Sequence, residues 1–200
     1  MHGLVSDVAD LDSAEKTISE AGALDVLVLN AGGPPPGRIL DLDDKRWHEA
    51  FQLLLLGPLR LARLVLPGMA ERGFGRVVFV TSTAVRQPQP DLAASVVLRS
   101  AVTAAAKLLS QEFAAAGVTV NCVAPGATAT ERRQQILESR AQASGRAYSE
   151  IDADDAASIP AGRAGEPAEI GAAVAFLASA AASYVNGTVL TVDGGRTETI

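Results

Sequence analysis

Hydroxyl-bearing residues stand directly after several apolar runs of strand length. Ser82 ends one such run, and Thr128 and Thr130 follow another across the turn Pro125-Gly126. Parallel strands end at one edge of an open α/β sheet, where turns of this kind present polar atoms to a ligand. The pattern therefore predicts a nucleotide-type crevice at that edge. The runs that end in small, polar or turn-forming residues cover residues 25–33, 76–82, 118–130 and 187–195.

Strand-like and helix-like segments alternate along the chain, which predicts one α/β domain of parallel strands over residues 1–200. We expect strands at residues 3–8, 25–30, 76–82, 118–124 and 188–193. We expect helices at residues 12–21, from 41–44 onward, 92–116 and 168–180, and a helix plus a mobile flap at 131–157.

The composition excludes several classes of protein. A net charge of −6 without a basic run argues against nucleic acid and acidic membrane surfaces as partners. We expect no stretch long and apolar enough to span a bilayer. The single Cys122 lies in an apolar run, which predicts core packing, no disulfide framework and a reducing cytoplasm. No His, Cys, Asp or Glu group has metal-ligand spacing.

Three turn motifs follow one another in a characteristic order: Asn30-Ala31-Gly32, Pro125-Gly126 and Asp193-Gly194-Gly195. With residues 159–179, they resemble the short-chain dehydrogenase/reductase family, particularly its 3-oxoacyl-carrier-protein-reductase-like members. The resemblance implies a Rossmann-like three-layer parallel sheet, NAD or NADP as cofactor, and a small carbonyl or alcohol substrate. It also implies a homo-oligomer, dimer or tetramer, built through residues 41–69 and 92–116 and the last strand.

The beginning of the chain departs from the family pattern, because no glycine-rich turn follows any predicted strand. The resemblance is therefore to an N-terminally truncated member that lacks the first βαβ unit, with Asp7 and Val8 at the adenine-contacting position. Residues 25–30 then form a sheet edge with unpaired backbone groups. Either residues 3–8 pair with this edge, another chain covers it, or it aggregates; alternatively, the sequence is a mis-started reading of a longer protein.

The catalytic positions that the family implies are partly altered. Ser82 matches the serine that orients the substrate oxygen, Ser95 stands where the family has a tyrosine, and Arg99 stands where it has a lysine. Leu54 replaces an asparagine of the proton path. Alternatively, Ser95 caps or lines a helix and Arg99 is a surface charge. Tyr148, in the predicted flap, is a candidate replacement acid, whereas we expect Tyr184 to pack at the start of the last strand.

The nicotinamide half of the cofactor site matches the family more closely. The residues that the resemblance assigns to it are Asn30, Ala31, Gly32, Pro125, Gly126, Thr128 and Thr130. The alternative is that these are ordinary strand-end turns of the fold. Three functional hypotheses follow: an NAD(P)-dependent oxidoreductase, a non-catalytic descendant that binds itself or a relative, and a gene fragment.

Overall fold

The computed structural model describes residues 3–199. Its strands are β1 (Val26–Leu29), β2 (Gly75–Val80), β3 (Val118–Pro125) and β4 (Val189–Val192). Its α-helices are α1 (Leu11–Ala21), α2 (Asp44–Phe51), α3 (Gly57–Glu71), α4 (Ala93–Glu112), α5 (Glu131–Ser144), α6 (Tyr148–Ala157) and α7 (Pro167–Ala178). A π-helical turn, Gln52–Leu56, joins α2 to α3.

The four strands form one parallel sheet in chain order, β1-β2-β3-β4. Val28 lies opposite Val78 in the first pair of strands, and Phe79 lies opposite Cys122 in the second. Because every strand runs the same way, the turns after β1, β2 and β3 meet at one edge. The predicted α/β class and parallel sheet are confirmed.

Helices cover the sheet on both faces and complete three layers. On one face, Leu66 of α3 and Val102 of α4 belong to the same buried cluster as Val77 and Phe79 of β2. On the other face, Leu177 of α7 packs with the neighbouring strand residues. Alternate residues of β2 therefore pack into apolar clusters on opposite faces of the sheet, as expected for a strand covered on both faces.

Cys122 lies in the core, as the sequence predicts. The side chain is 1% exposed within β3, and burial raises the pKa of its thiol to about 12. A thiol that stays protonated at neutral pH is a poor nucleophile. The structure therefore supports packing as its role.

The predicted strand at residues 3–8 is wrong, because this segment forms no ladder with any described strand. It lies instead against the π-helical turn. A Cβ on Gly57 would come 2.3 Å from the carbonyl oxygen of Val8, so only glycine permits this approach. β1 consequently pairs with β2 alone, and Val26 and Val28 are 42% and 43% exposed. The predicted sheet edge is confirmed, and residues 3–8 do not cover it.

Two further expectations need correction. The predicted mobile flap contains two regular helices, α5 and α6, separated by a short connection. Thr130 begins α5 by accepting a hydrogen bond from the backbone N–H of Arg133, as an N-cap residue does. Tyr184, which we expected to pack at the start of the last strand, is fully exposed.

Two helical segments meet the length and composition of a membrane span, contrary to the sequence expectation. Asp44–Glu71 has a mean hydropathy of 1.5, and Ala93–Glu112 has one of 1.3. Both segments pack on the sheet, and apolar core helices meet the same criterion. The result is weak evidence for a membrane location.

Asn121, buried within β3, fixes the start of β4. Its Nδ2 donates to the carbonyl oxygen of Val185 at 2.8 Å, and its Oδ1 accepts from the N–H of Thr188 at 3.0 Å. An Asn121→Leu variant should lower the free energy of unfolding by about 2–4 kcal/mol, because two buried backbone groups lose their partners. Urea denaturation measures this change.

Thr119, on the same strand, provides the matched control. Its buried hydroxyl oxygen has no hydrogen-bond partner within residues 3–199. Thr119→Val should therefore be neutral or stabilising by about 1 kcal/mol. Equal losses of stability in the two variants would contradict the role assigned to Asn121.

Candidate functional site

A cavity of about 410 Å³ opens at the carboxyl ends of β1, β2 and β3. Polar turns, the start of α5 and one side of α4 form its walls. Most of the residues singled out from the sequence line it. They are Asn30, Ala31, Gly32, Ser82, Ser95, Arg99, Pro125, Gly126, Thr128 and Thr130.

Asp7 and Val8 do not line this cavity. Asp7 accepts a hydrogen bond from the N–H of Ala9 at 2.8 Å, which closes a local turn, and Val8 lies against Gly57. Their assignment to cofactor binding stays a prediction.

Arg99 holds the strand ends together. Its Nη1 donates to the carbonyl oxygen of Val80 at 2.8 Å, and its Nη2 lies 3.2 Å from the carbonyl oxygens of both Ala31 and Gly32. One side chain from α4 thus connects the ends of β1 and β2. The expectation that Arg99 is a surface charge is wrong, since the guanidinium is partly buried among backbone carbonyls. Burial, together with the charge of Arg132, lowers the pKa of Arg99 to about 10.

The two serine hydroxyls in the cavity share a hydrogen-bonding pattern. Ser95 Oγ accepts from Arg99 Nε at 3.2 Å, and Ser82 Oγ accepts from the N–H of Ala84 at 3.2 Å. Each oxygen is occupied as an acceptor, so each O–H proton remains available to an acceptor in the cavity. The site can therefore offer two hydroxyl donors to a ligand oxygen.

Leu54 belongs to the core rather than to the cavity. It is 2% exposed within the π-helical turn, where it packs with Ala50 and, on α4, Ala94 and Leu98. An alkyl side chain in an apolar cluster carries no proton. The loss of the proton path at this position, which the family resemblance implies, stays a prediction.

The turn after β3 is shaped by close packing. A Cβ on Gly126 would lie 2.5 Å from Cβ of Asp193, so glycine is required where this turn meets the turn after β4. Thr128 and Thr130 continue the wall of the cavity. The hydroxyl of Thr130 is engaged as the N-cap of α5, which limits what it can offer a ligand.

A cluster of charged residues in the cavity wall escaped the sequence reasoning. Asp155 of α6 is 6% exposed and accepts from Arg133 at 2.8 Å and from Arg196 at 2.9 Å. Arg132 and Arg133 lie in the first turn of α5, where cations oppose the helix dipole. Two arginines at the start of a helix are visible in the sequence, and this unfavourable placement could have indicated that they bind groups elsewhere in the fold.

The other candidates from the sequence lie elsewhere. Tyr148, at the start of α6, is 40% exposed and does not line the cavity. Within residues 3–199, no group of three or more His, Cys, Asp and Glu side chains could hold a metal ion. No phenol and no metal therefore belongs to the described lining.

The cavity fits one half of a nicotinamide dinucleotide. Gly32 has open space where a Cβ would project, so a ribose could approach the backbone closely there. The hydroxyl donors stand in the same cavity. Among residues 3–199 we find no glycine-rich turn that opens a helix and could cradle the diphosphate.

Comparisons with known proteins agree with this geometry. The family model described as Enoyl-(Acyl carrier protein) reductase matches residues 2–197. The chain is 34% identical to the 3-oxoacyl-[acyl-carrier-protein] reductase FabG of Haemophilus influenzae, over 96% of this chain and 77% of that protein. It is 32% identical to the reductase MabA of Mycobacterium avium, over 98% of this chain and 74% of that protein.

Solved structures give the same result. YwfH, described as an NADPH-dependent reductase of bacilysin biosynthesis, matches with a TM-score of 0.91 and 27% identity over 98% of this chain and 78% of its own. A variant of actinorhodin polyketide ketoreductase, solved with NADPH, matches with a TM-score of 0.91 and 32% identity over 97% and 77%. Since fold and sequence agree with these relatives along almost the whole length of the chain, it belongs to the short-chain dehydrogenase/reductase family of NAD(P)-dependent oxidoreductases.

Proposed function

We propose that this chain transfers hydride between NAD(P) and a carbonyl or alcohol carbon, with Ser82, Ser95 and Arg99 in place of a phenol-based site. One observation carries the proposal. These three residues line the same cavity as the turns at Asn30–Gly32 and Pro125–Thr130. The names of the relatives support a 3-oxoacyl chain as the substrate class.

The protein's contribution is to orient and polarise the reacting oxygen. Ser82 and Ser95 both line the cavity, and their O–H groups would donate to the substrate oxygen as negative charge develops on it. Arg99 donates to the Ser95 oxygen and so makes that hydroxyl a better donor. When bound, NAD(P)H would supply the hydride.

The proton for carbonyl reduction must also come from this site. Ser95 would give its proton to the alkoxide oxygen and regain one from solvent. An aliphatic hydroxyl is a weaker acid than a phenol, whose pKa is about 10. Since well-matched general acids contribute about 10²–10⁴-fold, we expect slow turnover.

A second candidate function is assembly without turnover. Leu64 of α3 is 38% exposed, and Val97 and Leu108 of α4 are 46% and 66% exposed. Apolar side chains exposed on neighbouring helices suit contact with another copy of this chain or with a longer relative. This candidate predicts a stable oligomer without NAD(P)H oxidation, which light scattering coupled to size-exclusion chromatography tests.

Oxidation of NAD(P)H by the protein tests the proposed activity directly. With a 3-oxoacyl thioester and millimolar NADPH or NADH, the protein should oxidise the cofactor slowly but measurably by absorbance. Ser82→Ala should reduce kcat at least tenfold, because the substrate oxygen loses a donor, while cofactor binding by fluorescence stays unchanged. Ser179→Ala, at the end of α7, is the control. A rate equal to that without protein, under all these conditions, would exclude the proposal.

A substitution at Arg99 separates the contribution of its guanidinium hydrogen bonds to stability from the contribution of its charge. Arg99→Lys keeps the cation but loses most hydrogen bonds to the strand ends, so the free energy of unfolding should fall by about 2–4 kcal/mol. Arg46→Lys, on the exposed side of α2, should change it by less than about 0.5 kcal/mol. Urea denaturation of both variants measures the difference, and equal stabilities would contradict the bracing role.

A further inference from the structure

The lining of the cavity is strongly cationic in a chain whose net charge is −6. One carboxylate, that of Asp155, belongs to the described lining. The guanidinium groups that accompany it are those of Arg99, Arg132, Arg133, Arg140 and Arg196. Such a concentration of one sign of charge inside a crevice attracts ligands of the opposite sign.

Three of these arginines are neutralised by carboxylates. Arg133 and Arg196 pair with Asp155, at 2.8 and 2.9 Å. Arg140 pairs with Asp91, where its Nε lies 2.8 Å from the carboxylate. The structure thus accounts for these charges without a ligand.

Arg99 and Arg132 differ, because neither forms an ion pair with any carboxylate of residues 3–199. The guanidinium group of Arg99 donates its hydrogen bonds to backbone carbonyl oxygens and to Ser95 Oγ. Among residues 3–199, Arg132 donates one hydrogen bond, from Nη2 to the carbonyl oxygen of Pro34. Most of its five N–H donors are therefore free.

The Arg132 side chain lies in the wall of the cavity, where a ligand would contact it. A Cβ on Gly33 would lie 2.7 Å from Arg132 Nε, so the guanidinium lies directly on the turn after β1. Burial lowers the pKa of Arg132, and the charge of Arg132 lowers the pKa of Arg99. Two like charges are thus kept close together in a partly desolvated space, an arrangement that a bound anion stabilises.

We propose that Arg132, with the charge of Arg99 behind it, binds an anionic group of the ligand, and that this group is a carboxylate carried by the oxo substrate. Within the 3-oxoacyl class, the substrate of the proposed oxidoreductase, on which this part rests, is then a short 3-oxo acid with a free carboxylate. A guanidinium fork matches the two oxygens of a carboxylate. Ser82 and Ser95 line the same cavity and would receive the carbonyl oxygen of that molecule.

The test compares two probes that differ in charge, acetoacetate and its neutral methyl ester, by calorimetric titration of the protein at constant ionic strength. Acetoacetate should bind at least tenfold more tightly than the ester. Arg132→Gln should abolish this preference, and Arg132→Lys should retain part of it, because charge without the fork remains. Arg46→Gln removes the same charge from an exposed position and should change neither affinity by more than about twofold.

Equal affinities for the two probes, or no binding of either, would overturn the inference. The inference would also be overturned if the Arg132→Gln variant lost affinity for NADPH but not for acetoacetate. Arg132 would then bind a phosphate group of the cofactor. Reduction of the ester without any preference for the acid would leave the oxidoreductase proposal standing and this inference refuted. The opposite result is binding of acetoacetate that depends on Arg132, with no NAD(P)H oxidation in the presence of either probe or a 3-oxoacyl thioester. That result would support this inference and refute the oxidoreductase proposal.

Discussion

The site depends on one side chain, Arg99, which connects α4 to the end of β2 and to the turn after β1. β1 has a hydrogen-bonded neighbour on one side, so the turn that follows it lacks support from a second strand. Arg99 supplies that support by binding the carbonyl oxygens of Ala31 and Gly32 while also holding that of Val80. Charge-assisted hydrogen bonds are among the stronger ones that a protein forms. The shape of the cavity therefore rests on a cation that enters from α4.

The residues around Arg99 are compatible with this bracing role. Ser95 is short enough to leave room for the Arg99 side chain and supplies an oxygen for its Nε. Leu54 fills space between the π-helical turn and α4, where a polar side chain would need a partner. Ser95 and Leu54 thus both contribute to the packing and hydrogen bonding around α4.

Features set by local sequence were predictable, and features set by distant partners were not. The strands after residue 25 and the turns at Asn30–Gly32 and Pro125-Gly126 follow from apolar runs and turn residues, which act over short distances. Residues 3–8 have the composition of a strand but no neighbour, and a strand exists only through pairing. Asp155 could not be identified as buried, because its partners lie on α5 and near the end of the chain.

The charge distribution of the cavity constrains any chemistry in it. Arg133, Arg140 and Arg196 are bound to carboxylates and hold α5, α6 and the segment after β4 together around Asp155. Among the described cavity residues, that network leaves Arg132, in the first turn of α5, as a cation with free donors beside Arg99. A ligand that brings a negative charge would remove the repulsion between these two guanidinium groups, whereas a neutral ligand would bury them further without compensation. The anion selectivity that we propose for the crevice would follow from this repulsion.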